Sequence, residues 1–503
     1  MAERRAINVD LAALVREDGS FRTMLAWGDP VDVLEQTSTR VKVRTTDYVT
    51  QPDGSIKPQD GYGYLKRKAT VPGQGSVETT AAPESVPVMK VDFVDVQQGD
   101  AAVIETPAGK VITVDGGDNQ LFARYLAGRF RGTTADAPKE IDAMVVSHGD
   151  ADHFAGLTQI QASEELSDSQ AYKRLFVHPK RVFHNGLVKR PSSVPELASF
   201  GQTAAIADQV IITELADDLL AVPDASMNTY FRAWKKALRV WNDRSGPIAF
   251  RHLQAGDSDA FDFLGDEPLS MEVLGPLPTT ANGTTGLLFL GEPVTGPVIG
   301  HPPDEPVSFS GHSASHTING HSIVLRLRFG AWRFLLAGDL NAQSEQRLTA
   351  GHNLGEIDLR SEVFKVPHHG SADYSRSFLQ AVAPVVSVVS SGDESARKEY
   401  IHPRATLMSA LGRWSRDAGA VTFVTELVAF FQQEGWVTLP ASGSAKAREF
   451  FAFSRAAFGL VRVRTDGERL IVYTNSGQND LKEAYAWTVS AAGEAIPDPI
   501  RKA

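Results

Sequence analysis

The stretch that most limits what this chain can fold into is Ser147-His148-Gly149-Asp150-Ala151-Asp152-His153, directly after the apolar run Ile141-Asp142-Ala143-Met144-Val145-Val146. The run has the length and the Val and Ile content of a buried strand. Two imidazoles and two carboxylates therefore fall within six residues at a strand exit. Gly149 and Gly156, with the small Ala151, permit a tight backbone that turns several of these side chains to one side. Imidazole nitrogen with carboxylate oxygen suits zinc, manganese or iron rather than a thiolate-seeking metal. A polar loop carrying surface histidines is the competing reading, and four such groups at this spacing argue against it.

His148-x-Asp150-x-Asp152-His153 resembles the HxHxDH motif of the metallo-β-lactamase superfamily, with Asp150 in place of the middle His. That form is similar to the branch containing the hydrolase domain of the competence protein ComEC. Four further stretches resemble the same branch in the same order. Val94-Asp95-Val96-Gln97-Gln98-Gly99-Asp100 is similar to its opening DVGQGD, with Gln97 where Gly is usual. Val111-Ile112-Thr113-Val114-Asp115 is similar to its second strand, Phe334-Leu335-Leu336-Ala337-Gly338-Asp339 to the strand delivering a bridging carboxylate, and Lys365-Val366-Pro367-His368-His369-Gly370-Ser371 to its late histidine motif. The fold this implies is α/β: an αββα sandwich of two mixed sheets flanked by helices, with metals held in loops at one edge.

The resemblance further implies a metal set of His148, Asp150, Asp152, His153 and Asp339 with His368 or His369, and Asp115 as a hydrogen-bonding support. Adjacent residues on an extended chain point opposite ways, so one of His368 and His369 ligates while the other meets substrate or holds the loop. Asn319, His321 and His316 are all available as a further ligand, and spacing does not choose among them. His402, in Tyr400-Ile401-His402-Pro403, stands where the branch has a histidine beside the cleft. It is carried over as a catalytic residue with Asp152, against a rival role at the start of the helix that follows.

The rest of the chain divides around that domain. Residues 1–70 read as an amphipathic helix, with Leu11, Leu14 and Val15 at helical spacing, followed by a small all-β barrel. Asp29-Pro30-Val31-Asp32-Val33-Leu34-Glu35, Arg40-Val41-Lys42-Val43-Arg44 and Gly61-Tyr62-Gly63-Tyr64-Leu65 resemble a bacterial SH3-like module, one that docks a protein partner or packs on its neighbour. Residues 71–87 read as a linker, 88–440 as the hydrolase domain and 441–503 as a β-hairpin extension built on Val463-Arg464-Thr465-Asp466-Gly467-Glu468. Residues 190–255 look like a helical insertion with Phe231, Trp234, Leu238 and Trp241 on one packing stripe, and 277–310 like a long loop. His184 is expected to be structural rather than at the rim, Arg462 and Arg464 to lie on a solvated strand face, and the tail from Glu494 to be loose.

The chain has 503 residues, no cysteine, and no run near the ~20 apolar residues of a membrane span. Disulfides and thiolate metal sites are thereby excluded. The start lacks the apolar core of a signal peptide, and the expected location is cytoplasmic with no membrane contact. A net charge of −11 gives no global attraction to phosphate, so a nucleic-acid partner needs local basic groups.

The function expected from the resemblance is hydrolysis of phosphodiester bonds, most naturally in nucleic acid, by water activated between two divalent ions (zinc or manganese, with magnesium also compatible). No GxSxG elbow or nucleophilic Cys competes with it. Alternatives are a partner-gated effector, for example in antiphage defence, a small-molecule phosphodiesterase, and a metal-free scaffold.

Overall fold

The computed structural model describes residues 3–52, 56–66, 78–79, 88–207, 209–281, 283–294, 308–392, 402–416, 421–428, 430–439, 448–457, 459–474 and 483–502. Two sheets form its centre. The first has ten strands in the order Ala249–His252, Arg181–His184, Ala143–Val145, Val111–Asp115, Ala101–Glu105, Met89–Val94, Leu460–Thr465, Leu470–Thr474, Ala484–Val489 and Ala495–Asp498. The second has six: Leu269–Gly275, Val324–Phe329, Trp332–Leu336, Val363–Lys365, Val386–Val389 and Val421–Val424.

Period-two alternation explains the layering. Along the first sheet Val91, Phe93, Ile104, Ile112 and Val145 point inward and share one buried cluster with Leu325, Trp332, Phe334, Val363 and Val386 of the second. Their neighbours Val94, Val103, Val111 and Met144 point outward, where Phe122, Leu157 and Trp234 of helices Leu121–Arg129, Ala151–Glu164 and Thr229–Ser245 cover them. On the far side Leu335, Phe364 and Val389 meet Leu348, Phe378 and Leu411 of helices Ala342–Asn353, Arg376–Val382 and Ala405–Trp414. Strands buried on both faces need apolar residues at successive positions, which is why these segments read as continuous apolar runs. The four layers are those of the expected αββα sandwich.

Several expectations need correction. Residues near the N-terminus form strands Glu3–Ala6 and Leu11–Val15 rather than a helix. Ile7, Val9 and Leu11 are buried at every second position, and the turn at Gly19 (φ 82°) folds Leu11–Val15 onto Phe21–Ala26. The all-β expectation for this region holds. Its seven strands follow the order Phe21–Ala26, Leu11–Val15, Ile56–Lys66, Arg40–Thr50, Pro30–Gln36, Glu3–Ala6 and Glu78–Thr79. That order is linear, and the SH3 likeness rests on motifs alone. The strand Glu78–Thr79 falls inside the expected linker, whose other residues up to 87 lie outside the described ones.

The insertion is mixed rather than helical. Thr203–Ile206 and Gln209–Ile212 are strands, because Ile211 and Ile212 pair with Leu288 and Leu287 of Thr284–Leu288. The expected loop from 277 to 310 thus holds strands Thr279–Ala281 and Thr284–Leu288, and residues 295–307 lie outside the described ones.

The C-terminal hairpin belongs to the main sheet, since Leu460–Thr465 pairs with Met89–Val94. Arg464 is buried and Arg462 mostly covered on Asp92 rather than solvated, with Arg464 Nη1 at 2.8 Å and Arg462 Nη2 at 3.2 Å. The tail is tied down by strand Ala495–Asp498. It also helps seat the N-terminal sheet, where Arg469 Nη2 donates to Asp10 Oδ2 at 2.6 Å beside a buried cluster of Leu11, Trp27, Val88, Ile471 and Tyr473. No helix among the described residues is long and apolar enough to cross a membrane.

Candidate metal centre

Strand Ala143–Val145 delivers Ser147 and His148, and helix Ala151–Glu164 begins within the motif, so Asp152 and His153 occupy its first turn. The junction is tight: a Cβ on Gly149 would lie 2.7 Å from Phe231 Cζ, and one on Gly99 2.0 Å from the Asp152 carbonyl oxygen. Asp339 follows strand Trp332–Leu336, and its N–H donates to Ser322 Oγ at 2.9 Å. His368 and His369 follow Val363–Lys365, but the chain there is not extended. Both residues are left-handed (φ 49° and 51°), and their rings diverge with an interplanar angle of 76°.

Four overlapping groups of side chains bring donor atoms within 4.8 Å of one another: His148, His153 and Asp339; Asp152, His153 and His369; Asp100, Asp339 and His369; Asp100, Asp115 and His153. Asp339 joins the two halves, with Oδ1 3.2 Å from His153 Nε2 and Oδ2 3.2 Å from His369 Nε2. The Nδ1 atoms of all three histidines face the protein. That of His148 meets Ser147 Oγ at 3.1 Å, that of His153 meets Asp115 Oδ2 at 2.9 Å, and that of His369 meets the Ser390 carbonyl at 3.1 Å.

Their three Nε2 atoms, with Asp339 Oδ1 and Asp100 Oδ1, are buried and lack a hydrogen-bond partner of good geometry. Buried polar groups are seldom left so. Five unpartnered nitrogen and oxygen atoms in overlapping groups around Asp339 fit divalent cations, and the set suits zinc or manganese.

The expected residues divide on this geometry. His148, Asp152, His153, Asp339 and His369 lie in the cluster. Asp115 lies behind it, accepting from Ser147 N–H at 2.7 Å and facing His153 Nδ1 at 2.9 Å. Asp150 is outside the groups, its carboxylate ion-paired with the Lys189 ammonium. His368 is also outside, its ring 5.9 Å from that of His402 and its Nε2 3.4 Å from Asn319 Nδ2. His321 donates through Nε2 to the Leu288 carbonyl (2.7 Å), and His316 Nε2 meets Asp373 Oδ2 (2.7 Å), so neither completes a group. His184 is structural, bonded to the Asp217 carbonyl at 3.0 Å.

Sequence reading missed Asp100 as a candidate ligand. Its N–H donates to the Asp152 carbonyl at 3.3 Å, its side chain pairs with buried Lys365, and its Oδ1 lies 3.3 Å from His369 Nδ1. The signal was the Gly99-Asp100 ending of the first motif, where only Gly fits against the metal loop.

Electrostatics follow from burial and from crowding of opposite charges. Burial pushes Asp339 upward, but His153 and His369 outweigh it and hold the carboxyl well below its ordinary range. Burial lowers His153 and His369, but Asp339 outweighs it and raises both well above the usual imidazole value. His148 is pushed down to about 4 by burial and by His153. His402 also falls to about 4, through burial and then His368.

Residues 94–166 match the metallo-beta-lactamase superfamily, a span that carries Asp100, Asp115 and the whole His148 to His153 motif. Over those residues the chain is similar to the metallo-β-lactamase superfamily. It is also similar to the competence protein ComA of Neisseria gonorrhoeae, at 40% identity over 86 residues, which is 17% of this chain and 12% of the relative. ComE operon protein 3 of Bacillus subtilis (strain 168) is similar at 31% identity over 98 residues, 19% of this chain and 12% of the relative. The match thus spans about an eighth of these relatives' length. Over this span the chain is similar to both competence proteins, the likeness expected from the motifs.

Proposed function

We propose that the chain is a divalent-metal-dependent phosphodiester hydrolase acting on nucleic acid. The observation that carries the metal dependence is the set of orphaned buried atoms, His148 Nε2, His153 Nε2, His369 Nε2, Asp339 Oδ1 and Asp100 Oδ1, on either side of one carboxylate. His148, His153 and Asp339 would hold one ion, and Asp152, His369, Asp100 and Asp339 a second. When bound, such ions supply Lewis acidity toward a phosphoryl oxygen and an activated water.

The protein's own part is positioning. Asp115, Ser147 and Ser390 fix the three imidazoles with Nε2 inward. Asp152 accepts from Gln98 Nε2 at 3.3 Å, which orients its carboxylate. His368 and His402 form a second pair of imidazoles, outside those groups. Held neutral by burial, His402 can accept a hydrogen bond or a proton, and an anionic phosphate beside it favours its protonated form. A carboxylate-rich cluster flanked by imidazoles suits phosphoryl rather than lactam chemistry, and the similarity to competence proteins supports nucleic acid as the polymer.

The test is hydrolysis of single-stranded DNA, duplex DNA, RNA and bis-p-nitrophenyl phosphate with manganese, zinc or magnesium. Polynucleotide cleavage that is lost in Asp152→Ala and Asp339→Ala supports the proposal. Cleavage of the small diester alone replaces the nuclease with a narrow-pocket phosphodiesterase.

A further inference from the structure

The two halves of the cluster are unequal. The half around His369 has Asp100, Asp152 and His369 beside the shared Asp339, whereas the half around His148 has only that residue and His153 beside it. Asp150 is the carboxylate that would redress the difference. It stands in the same loop, two residues after His148 and two before Asp152. It also stands at the N-cap of helix Ala151–Glu164, where an Asp commonly accepts a backbone N–H, yet its side chain makes no capping bond. The carboxylate is turned instead to Lys189, with the two side chains 23% and 27% exposed.

Lys189 is held in place. It follows strand Arg181–His184, and its carbonyl accepts the N–H of Asn228 at 2.8 Å. Asn228 in turn caps helix Thr229–Ser245 by accepting from Phe231 N–H at 2.9 Å. The lysine is therefore anchored by the helix that also presses Phe231 onto Gly149.

We propose that Lys189 acts as a built-in cation that withholds Asp150 from the His148 side, so that the chain binds one divalent ion tightly and a second one weakly. The inference rests on the metal-dependent reading above and adds to it a residue that sets how many ions the resting protein carries. Lys189 is a positioning residue: it acts through Asp150 and needs no contact with substrate. An ammonium paired with Asp150 also offsets the negative charge that this carboxylate would offer a dication.

The experiment is a calorimetric titration of the full chain, stripped by chelator, with manganese chloride, together with metal content after gel filtration. The wild type is expected to retain one ion, with a second step at least about tenfold weaker, the scale on which ligand-supporting residues act. Lys189→Met should strengthen the second step by about tenfold or more, and Lys189→Arg should behave as wild type. In Lys189→Met/Asp150→Asn the second step should be lost again.

Two equal ions in the wild type overturn the inference, as does an unchanged second step in Lys189→Met whose thermal melt and circular dichroism match wild type. No retained ion at all overturns both this inference and the metal-dependent reading. Stepwise binding without turnover of any phosphodiester supports the inference and counts against the substrate.

Discussion

Asp115 Oδ2 lies 2.9 Å from His153 Nδ1, and this contact turns Nε2 of the same ring toward Asp339. The Asp115 carboxylate is buried, and Ser147 also donates to it from both N–H and Oγ. A carboxylate behind a ligating imidazole fixes its tautomer and raises its basicity. Asp115→Asn should therefore weaken manganese or zinc binding by about 10- to 100-fold with the fold intact, as read by calorimetry beside circular dichroism. Unchanged affinity would remove Asp115 from the metal account.

The adjacent histidines should separate by readout. His369 Nε2 faces Asp339, so His369→Ala should lower metal content per chain. His368 faces His402 and Asn319, so His368→Ala should keep the metal content and lose turnover by about 100-fold, the lower range for a proton-transfer or hydrogen-bonding group. Metal analysis and initial rates on the same preparations check both.

Buried neutral histidines make the metal-free fold acid-sensitive. Burial pushes His184 down to about 4 and His321 to about 3. Between the ordinary imidazole value of about 6.5 and those values the unfolded chain binds more protons, so each contribution to stability is present at neutral pH and is lost as pH falls. His153 and His369, raised in the fold, act in the opposite sense, and comparison with a variant isolates the effect. Denaturant midpoints of metal-free wild type and His321→Gln at pH 7.5 and 5 should show a smaller acid loss in the variant.

Asp92 holds the first sheet together electrostatically. Burial raises its carboxyl, but Arg462, Arg464 and Arg129 outweigh that and hold it far below the ordinary range. Asp92→Ala leaves those guanidiniums buried without their shared counterion and should cost about 3–5 kcal/mol in urea unfolding. A loss under about 1 kcal/mol would place the group among weakly contributing surface pairs.

Much of the site was legible because its residues sit at strand exits, where an apolar run stops at a polar group. His148, His153, Asp339 and the pair His368 and His369 were readable in this way, without a choice within the pair, and Asp115 was readable as their support. Asp100 was not, because its role depends on Asp152 and His369, which lie far along the chain and meet it only through the loop packing at Gly99. Asp150 looked like an ordinary member of the motif, since nothing local reveals that Lys189 will reach it. The fates of His316 and His321 were likewise decided by distant partners, Asp373 and the Leu288 carbonyl.

In the fold, the N-terminal strand was misread because Leu11, Leu14 and Val15 satisfy a helical period. The strand pairing of Leu11 with Ala26 and of Leu14 with Thr23 is gained only when the chain folds back on itself. Arg462 and Arg464 looked solvent-facing because their counterion, Asp92, is hundreds of residues away in sequence.

The most direct test of the central claim is cleavage of a 5′-labelled single-stranded DNA by chelator-stripped protein before and after manganese is restored, with Asp339→Ala in parallel. The account predicts no cleavage by the stripped protein, recovery on adding manganese, and none by Asp339→Ala in either state. Cleavage that survives chelation, or that persists at wild-type rate in Asp339→Ala, would contradict it.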